Sequence, residues 1–341
     1  MKRLVMLLVL LSAAFAQNKE LRLFIWSEYI DPAIVASFEK QFGYKVKIDL
    51  YESNEEMLAK LQAGGVSQYD LIVPSDFIVP TLIQLKVVQP LNQSKIPNLK
   101  NLDAKFKSPP FDAGNKYTVA YQWGSVGLMY RKDKVKAPPA SWSVIFDPKG
   151  AGSFVLMDSV REMMGVALRY QGQSANSKNP KAVQAAGKLL LAAKKAKRSL
   201  GFEGGVGGKN KVVAGTAIYA VVYNGDAIKA ADENPNVGFV VPKEGSTLFV
   251  DNMAIPAKAP NVEAAHKFIN FILDPKIGAQ LSNFNRYATP NAAAKPFITP
   301  ADLKNTAIYP TPEVMKKLEF ILDLGKDTRL YDETWTTVKS R

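Results

Sequence analysis

The run at 117–133, YTVAYQWGSVGLMYRKD, restricts the fold more than any other stretch. It is β-branched, aromatic and aliphatic through most of its length and gives way at Gly124. Ordinary strands end after about five or six residues, and a glycine inside a strand marks a bend or a close approach of backbone. The run is therefore predicted to cross between two bodies, hinged near Gly124. The length of 341 residues agrees, because single cores stop growing at roughly 250–300 residues. A return crossing is predicted at 247–254, TLFVDNMA.

Around these crossings the periodicity is that of an α/β protein. Leu21, Leu23 and Ile25 alternate with Arg22 and Phe24 and lead into Trp26-Ser27-Glu28-Tyr29. Asp31-Pro32 then starts a helix. Tyr44, Val46, Ile48 and Leu50 alternate as a half-buried strand, and Ser53 and Glu56 form a capping box for the next helix, which Gly64-Gly65 ends. A buried strand is read at 70–75 and a helix at 77–85. This β-α-β-α-β order predicts a doubly wound sheet. A second α/β set follows, with strands at 153–158, 217–223 and 237–241 and a helix at 159–170. Helices at 262–273, 275–283 and 313–324 are predicted to complete the fold.

Residues 1–16 stand apart. Lys2-Arg3, the apolar run 4–11 and Ala14-Phe15-Ala16 have the form of a cleaved export signal, too short to span a bilayer. The mature chain is expected to begin near Gln17, free and soluble outside the cytoplasm. Cysteine is absent, which excludes disulfides, thiolate metal sites and cysteine nucleophiles. One histidine, His266, cannot make a histidine metal cluster, and its place on a helical stripe suits a structural role. The formal net charge of +13 invites a nucleic-acid or anionic-membrane reading, and the densest basic run is 188–198, KLLLAAKKAKR. On an alanine and leucine background that run reads as the solvated face of an amphipathic helix, and no nucleic-acid module accompanies it. The glycine-rich 204–210, GGVGGKN, has Glu203 where a phosphate loop needs its first glycine and no Ser or Thr after the lysine, so it reads as a flexible loop.

Several blocks together, FIWSEYI, YESNEEMLAKL, YDLIVPSDF, MDSVRE, YNGDA, PKEGSTLFVDNMAIPA and RYATPNAAA, resemble the spermidine/putrescine-binding proteins of ABC importers. Their order and spacing cover almost the whole mature chain, most weakly at 199–211. The resemblance implies a two-lobed, periplasmic-binding-protein-like Venus-flytrap fold with two interlobe crossings. Lobe 1 would hold 17–124 and 251–298, and lobe 2 would hold 125–250 and 299–341. It also implies a periplasmic, monomeric, non-catalytic receptor that uses no cofactor, binds no nucleic acid and hands a polyamine to the permease subunits of an ABC transporter.

The chemistry of such a ligand is plain. Cationic nitrogens need carboxylates to offset desolvation, and both cations and methylenes favour aromatic faces. Carried over by resemblance, the first-lobe site comprises Trp26, Tyr29, Ser27, Glu28, Ser75 and Tyr287. Glu162 would hold a terminal amine on the second lobe and Asp251 an inner one. Tyr223 and Phe249 stand where the family has tryptophan. The family's second-lobe acid falls on Ser159, with Asp158 one place earlier. Phe77 lacks a family hydroxyl, Ile321 replaces a glutamine of spermidine binders, and Asp226 resembles the putrescine pattern. Diamine and triamine therefore both stay open.

Duller roles are open too: core rings for Trp26 and Phe249, and a solvated or helix-start charge for Glu28. An acid inside an apolar strand, as Asp251 is, has to find a partner. Three alternatives to a polyamine receptor are a receptor for another small organic cation, a surface protein holding anionic polymer or lipid through its basic helix, and a hydrolase using the carboxylate pair Asp158 and Glu162.

Overall fold

A computed structural model describes residues 19–341; the export-signal expectation at 1–16 lies outside the described residues. In chain order the strands are β1 (Glu20–Trp26), β2 (Lys45–Tyr51), β3 (Leu71–Ile72), β4 (Thr118–Arg131), β5 (Phe154–Met157), β6 (Ser199–Glu203), β7 (Tyr219–Tyr223), β8 (Val237–Val240), β9 (Ser246–Ala254) and β10 (Leu318–Phe320). They join in one continuous sheet, ordered β2-β1-β3-β9-β4-β7-β5-β6, with β8 on β4 and β10 on β9. β1, β2 and β3 are parallel, as are β5, β6 and β7, whereas β4 runs antiparallel to both β9 and β7. The expected α/β class and two-lobed architecture are present.

The lobes are visible in the two largest hydrophobic cores. Leu21, Leu23, Phe38, Val119, Trp123 and Phe268 belong to one, and Val126, Leu128, Phe154, Met163, Leu190 and Trp335 to the other. β4 therefore changes core between Trp123 and Val126, on either side of Gly124. Its first half pairs with β9 through Ser125 and Leu248, and its second half pairs with β7 from Val126 and Tyr223. The return passage lies earlier than Val250. Val240 packs with the second core and Val241 with the first, and Leu248, Phe249 and Val250 are all in the first. The tail makes a further passage, with Ile308 and Leu318 in the first core and Leu324, Tyr331 and Trp335 in the second.

Gly124 is packed closely by two side chains. A Cβ there would lie 2.2 Å from Asn224 Oδ1 and 2.9 Å from the Phe249 ring. The same Asn224 oxygen accepts from Ser125 N–H at 3.0 Å, and its amide donates to Ala307 O at 2.8 Å. Gly124→Ala should therefore overpack the crossing and cost about 1–3 kcal/mol of stability. An unfolding midpoint in urea equal to that of the unsubstituted protein would refute this.

Local signals hold at several ends. Asp31 accepts Ala33 N–H at 2.8 Å to start the helix Pro32–Phe42, and Gly43 closes it at φ 71°. Ser53 accepts Glu56 N–H, but Glu56 reaches back to Glu52 N–H at 2.9 Å rather than to its capping partner. Other readings need correction. β2 is an exposed edge rather than half-buried, with Leu50 52% exposed. The helix expected at 313–324 is a short turn, Pro312–Met315, followed by β10, because pairing with β9 overrides the helical spacing of its apolar residues. Residues 204–210 are not a flexible loop, since the helix Gly207–Val213 begins there and buries Gly208 and Val212. The helix Pro180–Lys195 does carry the lysines. Lys194 donates to Val338 O and Lys339 O, and Arg198 to Ile145 O and Asp147 O, so part of the basic run ties the C-terminal helix and the segment around 145–147 to this helix and the residues just after it.

Candidate functional site

A cleft lies between the two cores at the carboxyl ends of β1 and β7 and along β9. Asp251, central in β9 and 4% exposed, projects into it. Two neutral hydroxyls hold its carboxylate: Tyr29 donates at 2.8 Å to one oxygen and Ser75 at 2.6 Å to the other. Among the described residues no ion pair reaches it, and burial pushes its pKa up to about 7. A carboxyl in this state attracts a cation that arrives without water.

Each of those hydroxyls is itself fixed. Asn54 Oδ1 accepts Ser75 N–H, and its amide donates to Ser75 Oγ, both at 3.1 Å. The Tyr29 carbonyl accepts from Tyr121 Oη at 2.8 Å. Aromatic faces surround the acid. Tyr29 and Tyr287 meet edge to face at 5.1 Å, Tyr223 and Phe249 at 5.0 Å, and Phe249 and Tyr287 at 6.0 Å. Trp26, half-buried, anchors its Nε1–H on Val73 O at 2.9 Å and leans on Tyr51 at 4.6 Å. Edge-to-face pairs leave ring faces open for a cation.

Of the sequence candidates, Trp26, Ser27, Tyr29, Ser75, Tyr223, Asp226, Phe249, Asp251 and Tyr287 line this cleft. Phe249 is both core and lining. Asp226, at the start of the helix Asn224–Glu233, is hydrogen-bonded to Tyr287, and burial raises its pKa to about 6 despite nearby Lys209. Glu162 lies just behind, buried, with Ser159 donating to it and Tyr223 Oη 3.4 Å away. Burial raises its pKa, opposed by hydrogen bonding from Ser159 and by the Arg161 guanidinium.

Two candidates lie elsewhere. Asp158 pairs with Lys339 at 2.6 Å near the surface and lines a separate cavity with Glu55 and Trp335. Glu28 turns to Lys209 at 2.8 Å, with Lys229 at 3.9 Å. Sequence reasoning missed Glu52, Gly205 and Val206, which line the cleft mouth. Glu52, which accepts from Ser27 Oγ, ends a strand pattern that looked purely structural. Gly205, at φ 45°, lies against the Glu52 carboxylate, which a Cβ there would displace. Among the described residues no group of three or more His, Asp or Glu is placed to hold a metal ion, and none of the helices is long and apolar enough to cross a membrane. His266 is buried in the structural role expected, accepting Asn92 N–H at 2.9 Å.

The chain was compared with known proteins. Residues 33–311 match the family described as bacterial extracellular solute-binding protein. The chain is similar to the spermidine/putrescine-binding periplasmic protein of Escherichia coli (strain K12), 34% identical over 97% of this chain and 94% of that one. It is similar to the putrescine-binding periplasmic protein SpuD of Pseudomonas aeruginosa (strain UCBPP-PA14), 37% identical over 96% of this chain and 94% of that one. Among solved structures it resembles the spermidine/putrescine ABC transporter substrate-binding protein PotD of Streptococcus pneumoniae strain Canada MDR_19A, with a TM-score of 0.78 and 30% identity, covering 94% of this chain and 98% of the other.

Proposed function

The chain belongs to the bacterial extracellular solute-binding proteins, and from that premise we propose its ligand, its site and its partner. It is a polyamine receptor of an ABC importer and works outside the cytoplasm. The observation that carries the ligand reading is Asp251, a buried carboxylate held by neutral donors and enclosed by aromatic rings. An ammonium group satisfies that carboxylate, and the methylenes beside it lie against the rings. Asp251 binds one nitrogen directly, Tyr29 and Ser75 hold the carboxylate in place, and Trp26, Tyr223, Phe249 and Tyr287 cover the carbon chain. Ser27, Glu52 and Asp226 complete the mouth, and Glu162 supports Tyr223. Glu28 and Asp158 are bound elsewhere and make no contact with the ligand.

The receptor catalyses no reaction, acts as a monomer and delivers its ligand to permease subunits. The lobes divide at Gly124, between Val240 and Val241, and between Leu318 and Leu324, a division supported by most of the membership of the two cores, with Ile228 packing across into the first. Isothermal titration against spermidine, putrescine, heparin and short DNA tests the ligand class. Saturable binding of an amine with no binding of either polyanion is expected, and the reverse pattern would overturn the reading.

Because the cleft is lined from both lobes, a bound amine holds them together, by as much as its affinity for the closed state exceeds that for the open one. Small-angle scattering should show a smaller radius of gyration on saturation with the amine. Identical curves would place the binding event outside the cleft or in a molecule already closed.

A further inference from the structure

Asn54 opens the helix Asn54–Gln62, whose cap is Ser53, yet its own side chain is buried and turned away from the cap. Both ends of its amide meet one residue. Oδ1 accepts Ser75 N–H, and the amide nitrogen donates to Ser75 Oγ, both at 3.1 Å. A backbone N–H can only donate, so the first bond decides which end of the amide is oxygen. The other end is then a donor, and Ser75 Oγ has to accept from it. A hydroxyl carries one hydrogen. With an incoming donor on one side of Oγ, that hydrogen goes to the remaining neighbour, Asp251 Oδ1 at 2.6 Å. The bonds therefore run one way, from the Ser75 backbone through Asn54 and the Ser75 hydroxyl to the carboxylate.

The backbone places Ser75 without help from Asn54. Ser75 and Asp251 pair as an antiparallel bridge, and Asn252 N–H donates to Pro74 O at 2.8 Å. What the backbone leaves free is rotation of the hydroxyl, and Asn54 removes that freedom. A protonated Asp251 donating to Ser75 would give Oγ two incoming donors and leave the serine hydrogen without an acceptor, which is unfavourable in a buried site. Among the described residues no other hydroxyl replaces Ser75 at this oxygen. Tyr29 donates to the second oxygen, Tyr51 and Tyr121 donate to Val73 O and Tyr29 O, and Tyr223 lies against Glu162. Of the facing acids, Glu162 opposes ionisation of Asp251, and Asp76 is itself held by Phe77 and Val250 N–H.

We propose that Asn54 is a positioning residue of the cleft: by locking the Ser75 hydroxyl as a donor it holds Asp251 in its ionised form, which can only accept, so that the ligand group it takes is a cationic donor, an ammonium. This deepens the polyamine reading and rests on it for the ligand. Asn54 does not line the cleft and acts through Ser75 alone.

Carbon-13 NMR of the Asp251 carboxyl in the ligand-free protein tests the assignment. In Asn54→Ala the serine hydroxyl is free to accept, and the Asp251 midpoint, about 7 with Asn54 in place, should rise by about one unit. Because only the ionised fraction binds, the affinities for putrescine and spermidine should both fall about fivefold near pH 7 and stay within about twofold near pH 8.5. In a Ser75→Ala background Asn54→Ala should move the midpoint no further. An unmoved midpoint in folded Asn54→Ala, equal losses at both pH values, or a shift undiminished without Ser75 would overturn the assignment and reduce Asn54 to a structural tie. Neutron diffraction of the unsubstituted, deuterated protein keeps the test open if Asn54→Ala does not fold. Deuterium between Ser75 Oγ and Asp251 is expected, and deuterium turned elsewhere would overturn the proposal. Failure of the unsubstituted protein to bind either amine would instead overturn the polyamine reading, and the role of Asn54 would still be decided by the titration and the deuterium.

Discussion

Asp251→Asn lowers the affinity for every polyamine by ten- to hundredfold while the protein stays folded. Among the described residues no ion pair reaches this carboxylate, and its two oxygens are held by Tyr29 and Ser75 in positions that an asparagine side chain can occupy. Removing the charge therefore removes a charge-assisted bond worth about 1.5–3 kcal/mol and leaves the shape intact. The same substitution raises the melting temperature of the ligand-free protein at neutral and higher pH, because an uncompensated buried carboxylate is replaced by a neutral amide. Calorimetric titration and thermal unfolding of the one variant check both signs. Unchanged affinity in a folded Asp251→Asn protein would remove this residue from the site.

Acid weakens binding steeply, by close to tenfold per pH unit between about pH 7 and 5. Burial, the largest cause, raises the Asp251 pKa to about 7 in the ligand-free protein. A bound ammonium favours the ionised form, so binding lowers that pKa and releases a proton over this range. The ligand nitrogens do not titrate there, since an alkyl ammonium of the lysine type has a pKa of about 10. Below pH 6 Asp226, raised to about 6, also becomes protonated and steepens the loss. Folding stability responds in the opposite sense. With the folded pKa above the unfolded value of 3.8, the protonated carboxyl relieves the burial penalty fully below pH 3.8. That relief fades as pH rises and is gone above about 7. Titrations across pH in buffers of different ionisation enthalpy measure the proton released. A flat profile, or one that persists undiminished between pH 7 and 6 in Asp251→Asn, would assign the effect to other groups.

How much of this the sequence carried depended on whether the information was local. The crossing at Gly124 was legible because a strand that long has few uses, and the helix at Pro32 because Asp31 and the proline act within one turn. Asp251 stood out as an acid in an apolar strand, and the rings around it followed from the family resemblance. What failed depended on distant partners. Glu28 looks like a ligand group until Lys209, 181 residues away, takes it. Asp158 is likewise claimed by Lys339. The apolar residues of 313–324 fit a helix as well as a strand, and pairing with β9 decides between them. Glu52 and Gly205 meet only through the tertiary fold, which no spacing records.

The strand that passes through the pivot also governs how the protein comes apart. β4 gives its first half to one core and its second half to the other, with sheet pairing on both sides of Gly124. Neither lobe can shed its sheet without withdrawing a strand from its neighbour, and the tail binds them again through β10 and Trp335. A flexible tether would have let each lobe melt, or be excised, on its own. Here the two are one cooperative unit of unfolding, so a ligand gripped in the cleft protects residues in both cores, including those far from any contact with it.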